Sequence, residues 1–248
     1  GYANPTLVGT DCGLLNAVGL PNPGVEEFVQ EIKVAKEGGV PVIASIFGAS
    51  RQEFAQVGLM MERAGADALE LNVSCPHAEV ATLGQSPKLT FEVVETVKKT
   101  IGIPVFVKLT PNITDIVAVA QKAEEAGADG LTCINTLHAM VIDIETGRPI
   151  LANRVGGLSG PAIKPVAVRC VFEVSKATRI PVIGCGGIVD WRDAVEFMLA
   201  GASAVQVGTA IAWRGLGVFR EITEGIRRYL KRKNYGSVEE IVGLSHRY

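Results

Sequence analysis

Hydrophobic and polar positions follow two patterns along most of the chain. Short apolar runs rich in β-branched residues recur, and between them lie stretches with apolar residues at three- and four-residue spacing. The first pattern predicts buried strands, and the second predicts amphipathic helices. Because near-continuously apolar strands that alternate with helices favour a parallel sheet covered by helices, the predicted fold class is α/β. The six predicted strands are 40–47, 66–73, 103–109, 128–135, 180–187 and 202–209.

Two short sequence tags repeat in step with these elements. "AGAD" or "AGAS" occurs at 64–67, 126–129 and 200–203, where it predicts a helix that ends at glycine and a strand that follows. Polar residues and glycines recur at the carboxyl ends of the predicted strands, which is where (β/α)₈ barrels assemble their active sites. A barrel is therefore favoured over an open, doubly wound sheet.

A complete barrel needs eight strands, and only six are predicted. We expect the first strand–helix–strand region to precede residue 1, so that this chain is an N-terminally incomplete barrel. Residues 1–24, rich in Gly and Pro, are then expected to form an excursion between the second strand of the barrel and its helix. The length of 248 residues is typical of one barrel domain, so residues 1–248 are predicted to form a single domain.

Composition narrows the classes of function. A formal net charge of −2 without a basic stripe argues against nucleic-acid binding. No run approaches the roughly 20 apolar residues of a membrane span, and no signal peptide is recognised. The five cysteines include no C-x-x-C pair, which argues against a disulfide framework or a local metal site and suits a reducing cytoplasm. Small-molecule chemistry is favoured, with Cys133, Cys170 and Cys185 predicted to be structural.

Glycines end the last two predicted strands, at Gly186–Gly187 and at Gly208, which Thr209 follows. Glycine allows backbone N–H groups to approach an anion closely, and the loops after strands seven and eight of such barrels often bind phosphate. The two loops together predict a phosphate-bearing ligand, although either alone is as well explained as a tight turn.

Lys108 ends an otherwise apolar strand, so its ammonium is predicted to project into the barrel mouth. Three roles remain open for it at this point. It could form a Schiff base, pair with a phosphate, or stabilise the negative charge of a reduced cofactor.

Three asparagines, Asn16, Asn72 and Asn135, are expected at one rim of the barrel, and Thr136 follows the last of them. An amide side chain both donates and accepts hydrogen bonds, which suits a planar ring with alternating N–H and C=O groups. Each alone is better explained as turn chemistry. Together they predict a planar, amide-rich substrate.

Cys75 follows a predicted strand and precedes a loop, Pro76–Pro87, that is long enough to act as a lid. A thiol at a catalytic face can act as nucleophile or general base, because its pKa is readily adjusted. A nucleophile would need a base beside it, for which His77 and His138 are the candidates.

Seven segments resemble one family, the catalytic subunit of class 1B dihydroorotate dehydrogenase. They are "NAVGLPNPG" (16–24), "NVSCPH" (72–77), "KLTPNITDIV" (108–117), "INTL" (134–137), "PILANRVGGLSGPAIKP" (149–165), "IPVIGCGGI" (180–188) and "GASAVQVGTA" (201–210). The resemblance implies a (β/α)₈ barrel that binds FMN and oxidises dihydroorotate to orotate in pyrimidine biosynthesis.

Residue roles follow from this resemblance. Cys75 would be the base that removes a proton from the substrate as hydride passes to the flavin, and Lys108 would stabilise the reduced flavin. The FMN-binding residues implied are Ser45, Asn72, Lys108, Ile134, Gly160, Gly186, Gly187, Gly208 and Thr209. The substrate-binding residues implied are Asn16, Ala17, Val18, Gly19, Leu20, Asn72, His77, Asn135 and Thr136.

The family also implies a cytoplasmic assembly that binds no metal ion in this chain. Electrons would pass to NAD through a partner subunit that carries FAD and a 2Fe–2S cluster, with the catalytic chain forming a homodimer within a heterotetramer. His77 stands where many members have a substrate-binding Asn, and "SCPH" also resembles the FMN domain of dihydropyrimidine dehydrogenase, which reduces uracil or thymine. Two readings from other classes stay open, namely a Schiff-base lyase or aldolase that uses Lys108 and a catalytically silent assembly subunit.

Overall fold

The computed structural model describes residues 1–73 and 83–248, in which strands and helices alternate. The strands are β1 (Leu7–Thr10), β2 (Gly13–Asn16), β3 (Ile43–Ile46), β4 (Ala68–Asn72), β5 (Val105–Leu109), β6 (Gly130–Cys133), β7 (Leu137–Ala139), β8 (Ile142–Asp143), β9 (Arg148–Pro149), β10 (Gly156–Ser159), β11 (Val182–Cys185) and β12 (Ala204–Gln206). The helices are α1 (Val25–Lys36), α2 (Arg51–Ala64), α3 (Pro87–Lys98), α4 (Ile116–Glu125), α5 (Lys164–Ala177), α6 (Trp191–Ala200), α7 (Ala210–Arg214) and α8 (Val218–Lys233).

All six predicted strands are present, as β3, β4, β5, β6, β11 and β12, and a helix follows each of them along the chain. Each strand is shorter than predicted, because the flanking proline and the "AGAD" residues lie in the connections. The fold class is α/β, as predicted, with six of the strand–helix repeats that characterise a (β/α)₈ barrel. No helix within the described part of the chain is long and apolar enough to cross a membrane.

The repeated tags end helices in the predicted way. Gly65, Gly127 and Gly201 follow α2, α4 and α6 with φ values of 101°, 93° and 121°. A residue that has a Cβ is strained at such φ values, so glycine reverses the chain there at little cost. The tag therefore marks a real structural boundary in each repeat.

The aspartates of two tags, Asp67 and Asp129, also make the same pair of contacts. Each carboxylate accepts a backbone N–H at the start of the preceding strand, at 2.6 and 2.7 Å, and each forms an ion pair with a lysine 31 positions earlier. The hydrogen bond from the lysine, followed by that from the backbone, lowers the pKa of Asp67. The lysines are Lys36 and Lys98, and the backbone donors are Val42 and Val105.

The chain divides into two compact units. The first comprises Gly1–Pro21, Cys133–Lys176 and Val182–Tyr248, and the second comprises Asn22–Thr132 and Ala177–Pro181. The prediction of one domain over the whole length stays a prediction.

The second unit is a parallel sheet, with strand order β6-β5-β4-β3, covered by α1 to α4. In-register residues of neighbouring parallel strands lie on the same face, and successive residues alternate between faces. One face is apolar and packs beneath the helices, where an ideal Cβ on Gly58 of α2 would lie 3.0 Å from Leu69. The buried residues of that face are Ala44, Ile46, Leu69, Leu71, Val105, Val107 and Leu109.

The opposite face of the same sheet is polar. Ser45 lies in register with Glu70, and Asn72 lies in register with Lys108. The sequence pattern indicated near-continuously apolar strands, and the structure shows that one face carries their charged and amide side chains. This polar face carries the predicted cofactor residues of the second unit, Ser45, Asn72 and Lys108.

The first unit contains an antiparallel sheet that the sequence did not predict, with strand order β1-β2-β10-β7. Residues 1–24 do lie outside the strand–helix repeats, as predicted, and they contain two strands, β1 and β2, that were not predicted. These strands have four residues each, and β2 pairs with β10 far along the chain, so local periodicity carries no signal for them. A parallel pair, β11 and β12, and helices α5 to α8 complete this unit.

Candidate active site

A charged pair lies on the polar face of the second unit. Lys108 Nζ is 3.3 Å from Glu70 Oε1, and Thr132 Oγ1 donates to Glu70 Oε2 at 2.8 Å. Glu70 is buried, with 5% of its surface exposed, while 19% of the Lys108 side chain stays accessible. The ammonium is thus held by a carboxylate on one side while the lysine retains access to a ligand.

Two other predicted cofactor residues share this polar face. Asn72 is half-buried at the carboxyl end of β4, opposite Lys108, and Ser45 is exposed on β3. Asn72 is the last residue of its strand, so its amide lies at the edge where active-site residues of barrels are found. Cys75 and His77, which follow along the chain, lie outside the described residues.

Three loops of the first unit converge, and each carries a predicted cofactor residue. An ideal Cβ on Gly187, after β11, would lie only 2.7 Å from the carbonyl oxygen of Gly160, after β10. Thr209, after β12, donates its hydroxyl hydrogen to Ser159 Oγ at 2.8 Å. The loops can approach this closely because Gly160 and Gly187 have no side chains.

The remaining predicted cofactor residues lie around the glycine junction, the place where the loops after β10, β11 and β12 converge. An ideal Cβ on Gly186 would be 3.5 Å from the side chain of Ile134, so the two are neighbours. A Cβ on Gly208 would meet nothing within 4 Å, so there is open space beside that backbone. Close-packed glycine backbones with open space at one of them fit a bound phosphate, because backbone N–H groups can then face the anion without interference from side chains.

Lys164 and Asp193 support the same junction, although neither was among the predicted site residues. Lys164 begins α5 directly beside Gly187, and its ammonium contacts Asp193 at 2.8 Å and Glu196 at 2.7 Å. Asp193 Oδ2 also accepts the backbone N–H groups of Val189 and Asp190 in the loop after Gly187. A lysine in the first turn of a helix opposes the helix dipole, which was the available signal that it needs an acidic partner.

The charges of this cluster are mutually stabilised. Burial by itself would raise the pKa of Asp193, but the hydrogen bonds from Lys164 and from the two backbone N–H groups lower it overall. Burial would likewise lower the pKa of Lys164, and its hydrogen bonds to Asp193 and Glu196 raise it instead. Both groups are therefore charged near neutral pH.

The predicted polar substrate residues of the first unit meet at Gly157, which was not among the predicted site residues. Asn16 donates its side-chain N–H to the Gly157 carbonyl at 3.2 Å, and an ideal Cβ on Gly157 would lie 2.2 Å from Thr136 Oγ1. Asn135 accepts the backbone N–H of Thr136 at 2.8 Å. Three of the predicted polar residues are thus neighbours, while Asn72 belongs to the second unit.

The segment after Asn16 leaves β2 and becomes exposed. Ala17 is buried and donates its backbone N–H to Thr6, whereas Val18 and Leu20 are 36% and 38% exposed. Gly19 lies between them at a φ of 77°. The exposed apolar side chains leave this predicted substrate segment accessible to a ligand.

Comparison with known proteins gives one consistent result. The family model described as dihydroorotate dehydrogenase matches residues 1–230. The chain is 54% identical to a protein of Methanothermobacter thermautotrophicus, 53% to one of Methanosarcina acetivorans and 54% to one of Pyrococcus abyssi. Each alignment covers 99% of this chain and 82%, 80% and 82% of the respective relative. All three relatives are named dihydroorotate dehydrogenase B (NAD(+)), catalytic subunit.

Proposed function

Because the chain belongs to the dihydroorotate dehydrogenase family, we propose that it is the catalytic subunit of an NAD-linked enzyme that oxidises dihydroorotate to orotate. The observation that carries the proposal is the 54% identity over 99% of the chain with a relative of that name. Identity at this level extends over both compact units, so the proposed activity rests on the whole chain rather than on one motif.

FMN is the proposed cofactor, and when bound it would accept a hydride from the substrate. The converging glycine loops of the first unit support a site for its phosphate, with Ile134 beside them. By the family resemblance, Lys108, Asn72 and Ser45 are also proposed as FMN-contacting residues. The residues proposed to hold the phosphate are Gly160, Gly186, Gly187, Gly208 and Thr209.

Proton removal is assigned to Cys75 on the strength of the family resemblance. Oxidation of a ring C–C bond to C=C removes two hydrogens, one as a proton and one as a hydride. The Cys75 thiolate would take the proton from one ring carbon while the hydride leaves the neighbouring carbon. A thiol suits this role because its ordinary pKa, near 8.5, allows it to exchange protons close to neutral pH.

Substrate orientation is assigned to the amide and hydroxyl side chains. Asn16, Asn135 and Thr136 would bind the N–H and C=O groups of the pyrimidine ring, together with Asn72. The neighbouring contacts of the first three at Gly157 support a common site for them. His77 would complete the substrate contacts, and Ala17 to Leu20 would form one wall.

Electron transfer beyond FMN is assigned to a separate subunit. The relatives are named catalytic subunits, which supports a partner of another kind. We propose that this partner carries FAD and a 2Fe–2S cluster and passes electrons to NAD, with the catalytic chain forming a homodimer within a heterotetramer.

Anaerobic flavin bleaching tests the proposal. The purified full-length protein should show a flavin spectrum that dihydroorotate bleaches, and Cys75→Ala should slow the bleaching by at least about a hundredfold, the usual contribution of a general base. Cys12→Ala is the matched control, because Cys12 is an exposed thiol with no role in the proposed reaction. A flavin that dihydrouracil reduces and dihydroorotate does not would instead favour the dihydropyrimidine dehydrogenase reaction, and a colourless protein would refute flavin chemistry.

A further inference from the structure

Glu70 is a buried carboxylate for which the proposed reaction has no role. It lies in β4 between Leu69 and Leu71, both of which are completely buried, and only 5% of its own surface is exposed. An ionised carboxylate is costly to bury unless it is paired and hydrogen-bonded. Its partners therefore indicate how this carboxylate is accommodated in the sheet.

The two carboxylate oxygens of Glu70 have different partners on two other strands. Oε1 is 3.3 Å from Lys108 Nζ on β5, and Oε2 accepts from the Thr132 hydroxyl at 2.8 Å on β6. Lys108 is in register with Asn72, which lies two residues nearer the carboxyl end of β4 than Glu70 does. The lysine side chain must therefore lean back along the sheet to reach the carboxylate, and Thr132 fixes the carboxylate orientation that it meets.

We infer that Glu70 is a positioning residue, which anchors the Lys108 ammonium that would contact the flavin. The inference rests on the proposed contact between Lys108 and FMN. A lysine has a flexible four-carbon stem, so an unanchored ammonium is distributed over many rotamers. Glu70 restricts that freedom, and a preorganised charge stabilises developing negative charge better than a mobile one does.

An anchoring role and a simple charge effect of Glu70 predict opposite changes in the stability of an anionic flavin when Glu70 is neutralised. If Glu70 acts only as a negative charge, its neutralisation makes the surroundings of the flavin more positive and stabilises an anionic flavin. If Glu70 acts through Lys108, its neutralisation releases the ammonium and destabilises an anionic flavin. The sign of the change therefore distinguishes the two effects.

Sulfite binding to the oxidised FMN-loaded protein measures this sign without turnover. Sulfite donates its electron pair to flavin N5, and the negative charge is delocalised over the N1–C2=O edge, so adduct affinity reports the positive charge there. We expect Glu70→Gln to raise the sulfite Kd about tenfold, as is typical for coupled neighbouring groups. Lys108→Met should raise it further, and the double variant should match Lys108→Met alone.

The matched control is Glu95→Gln, which removes a carboxylate from the exposed ion pair with Lys99 in the same unit and should leave the sulfite Kd unchanged. If Glu70→Gln does not fold, Thr132→Val tests the same anchor, with an expected rise of about threefold for one lost hydrogen bond. A lower sulfite Kd in Glu70→Gln, or an effect that adds fully to that of Lys108→Met, would overturn the anchoring role while leaving the proposed function intact. An unchanged sulfite Kd in Lys108→Met would contradict the proposed contact between Lys108 and the flavin, and it would overturn the inference as well.

Discussion

The ammonium of Lys164 lies 2.8 Å from a carboxylate oxygen of Asp193 and connects the start of α5 to the loop that follows β11. The other oxygen of Asp193 holds that loop through the N–H groups of Val189 and Asp190. One carboxylate therefore fixes both sides of the glycine junction at Gly187. We expect the junction to depend on this pair for its geometry and its stability.

Replacement of Asp193 by Ala should lower the free energy of unfolding by about 2–3 kcal/mol, because it removes an ion pair and two hydrogen bonds to partly buried backbone N–H groups. Lys164→Met should cost less, about 1–2 kcal/mol, since the lysine is partly exposed. Urea unfolding measures both values. Arg169→Met, which breaks an exposed ion pair with Glu173 on the same helix, is the control and should cost less than about 0.5 kcal/mol.

The same pair predicts how stability depends on pH. Because folding lowers the pKa of Asp193, this residue stabilises the folded state at neutral pH. That stabilisation is lost as the pH falls below about 4 through the folded-state pKa. Because folding raises the pKa of Lys164, its contribution is lost as pH rises above about 10.4. Unfolding curves across pH should therefore show a smaller acid loss in Asp193→Asn and a smaller alkaline loss in Lys164→Met than in the wild type. Parallel curves would contradict this assignment.

Gly187→Ala should disrupt the glycine junction and weaken FMN binding by at least about tenfold, because the new Cβ would meet the Gly160 carbonyl at 2.7 Å and Lys164 at 2.8 Å. Gly147→Ala is a close control. Gly147 has a φ of 65°, similar to the 75° of Gly187, but a Cβ there would meet nothing within 4 Å. Both variants incur the backbone cost of about 1 kcal/mol, so only the difference between them reports crowding. Equal FMN affinities by fluorescence titration would count against the proposed phosphate site.

The aspartates of the repeated tags are expected to stabilise the fold more through their backbone hydrogen bonds than through their ion pairs. Asp129→Ala should lower the free energy of unfolding by about 1–2 kcal/mol, because the Val105 N–H loses its acceptor. Lys98→Met removes only the partly exposed ion pair and should cost less than about 1 kcal/mol. Asp129→Asn retains a side-chain acceptor and should fall between them. If Lys98→Met proves as costly as Asp129→Ala in urea unfolding, the ion pair rather than the backbone bond stabilises this tag.

Thiol labelling should distinguish the exposed cysteine from the buried ones among the described residues. Cys133 is completely buried, and burial raises its pKa well above the usual range; burial also raises the pKa of Cys170. Few thiolates form at such sites, whereas Cys12 is exposed. In a Cys75→Ser background, a maleimide should label Cys12 in the native protein and reach Cys133 and Cys170 only after unfolding, as measured by peptide mass spectrometry. Rapid native labelling of Cys133 would contradict its burial.

The sequence alone determined the repeated elements. Apolar periodicity located all six parallel strands, and the "AGAD" tags located helix ends, because both signals arise within a few neighbouring residues. The glycines after β11 and β12 were also recognised from local sequence. The sheet of β1, β2, β10 and β7 was missed, because its pairing joins residues such as Asn16 and Gly157 that are 141 positions apart.

Only the tertiary structure decided which polar groups act on one another. Glu70 is a single charged residue within an apolar run, and its pairing with Lys108 depends on the register of β4 against β5. Lys164 meets Asp193 because α5 and α6 bring together residues that are 29 positions apart. Local sequence specifies periodicity and turns, whereas strand register and helix packing select the partners of buried charges, so these partners become visible only in the folded chain.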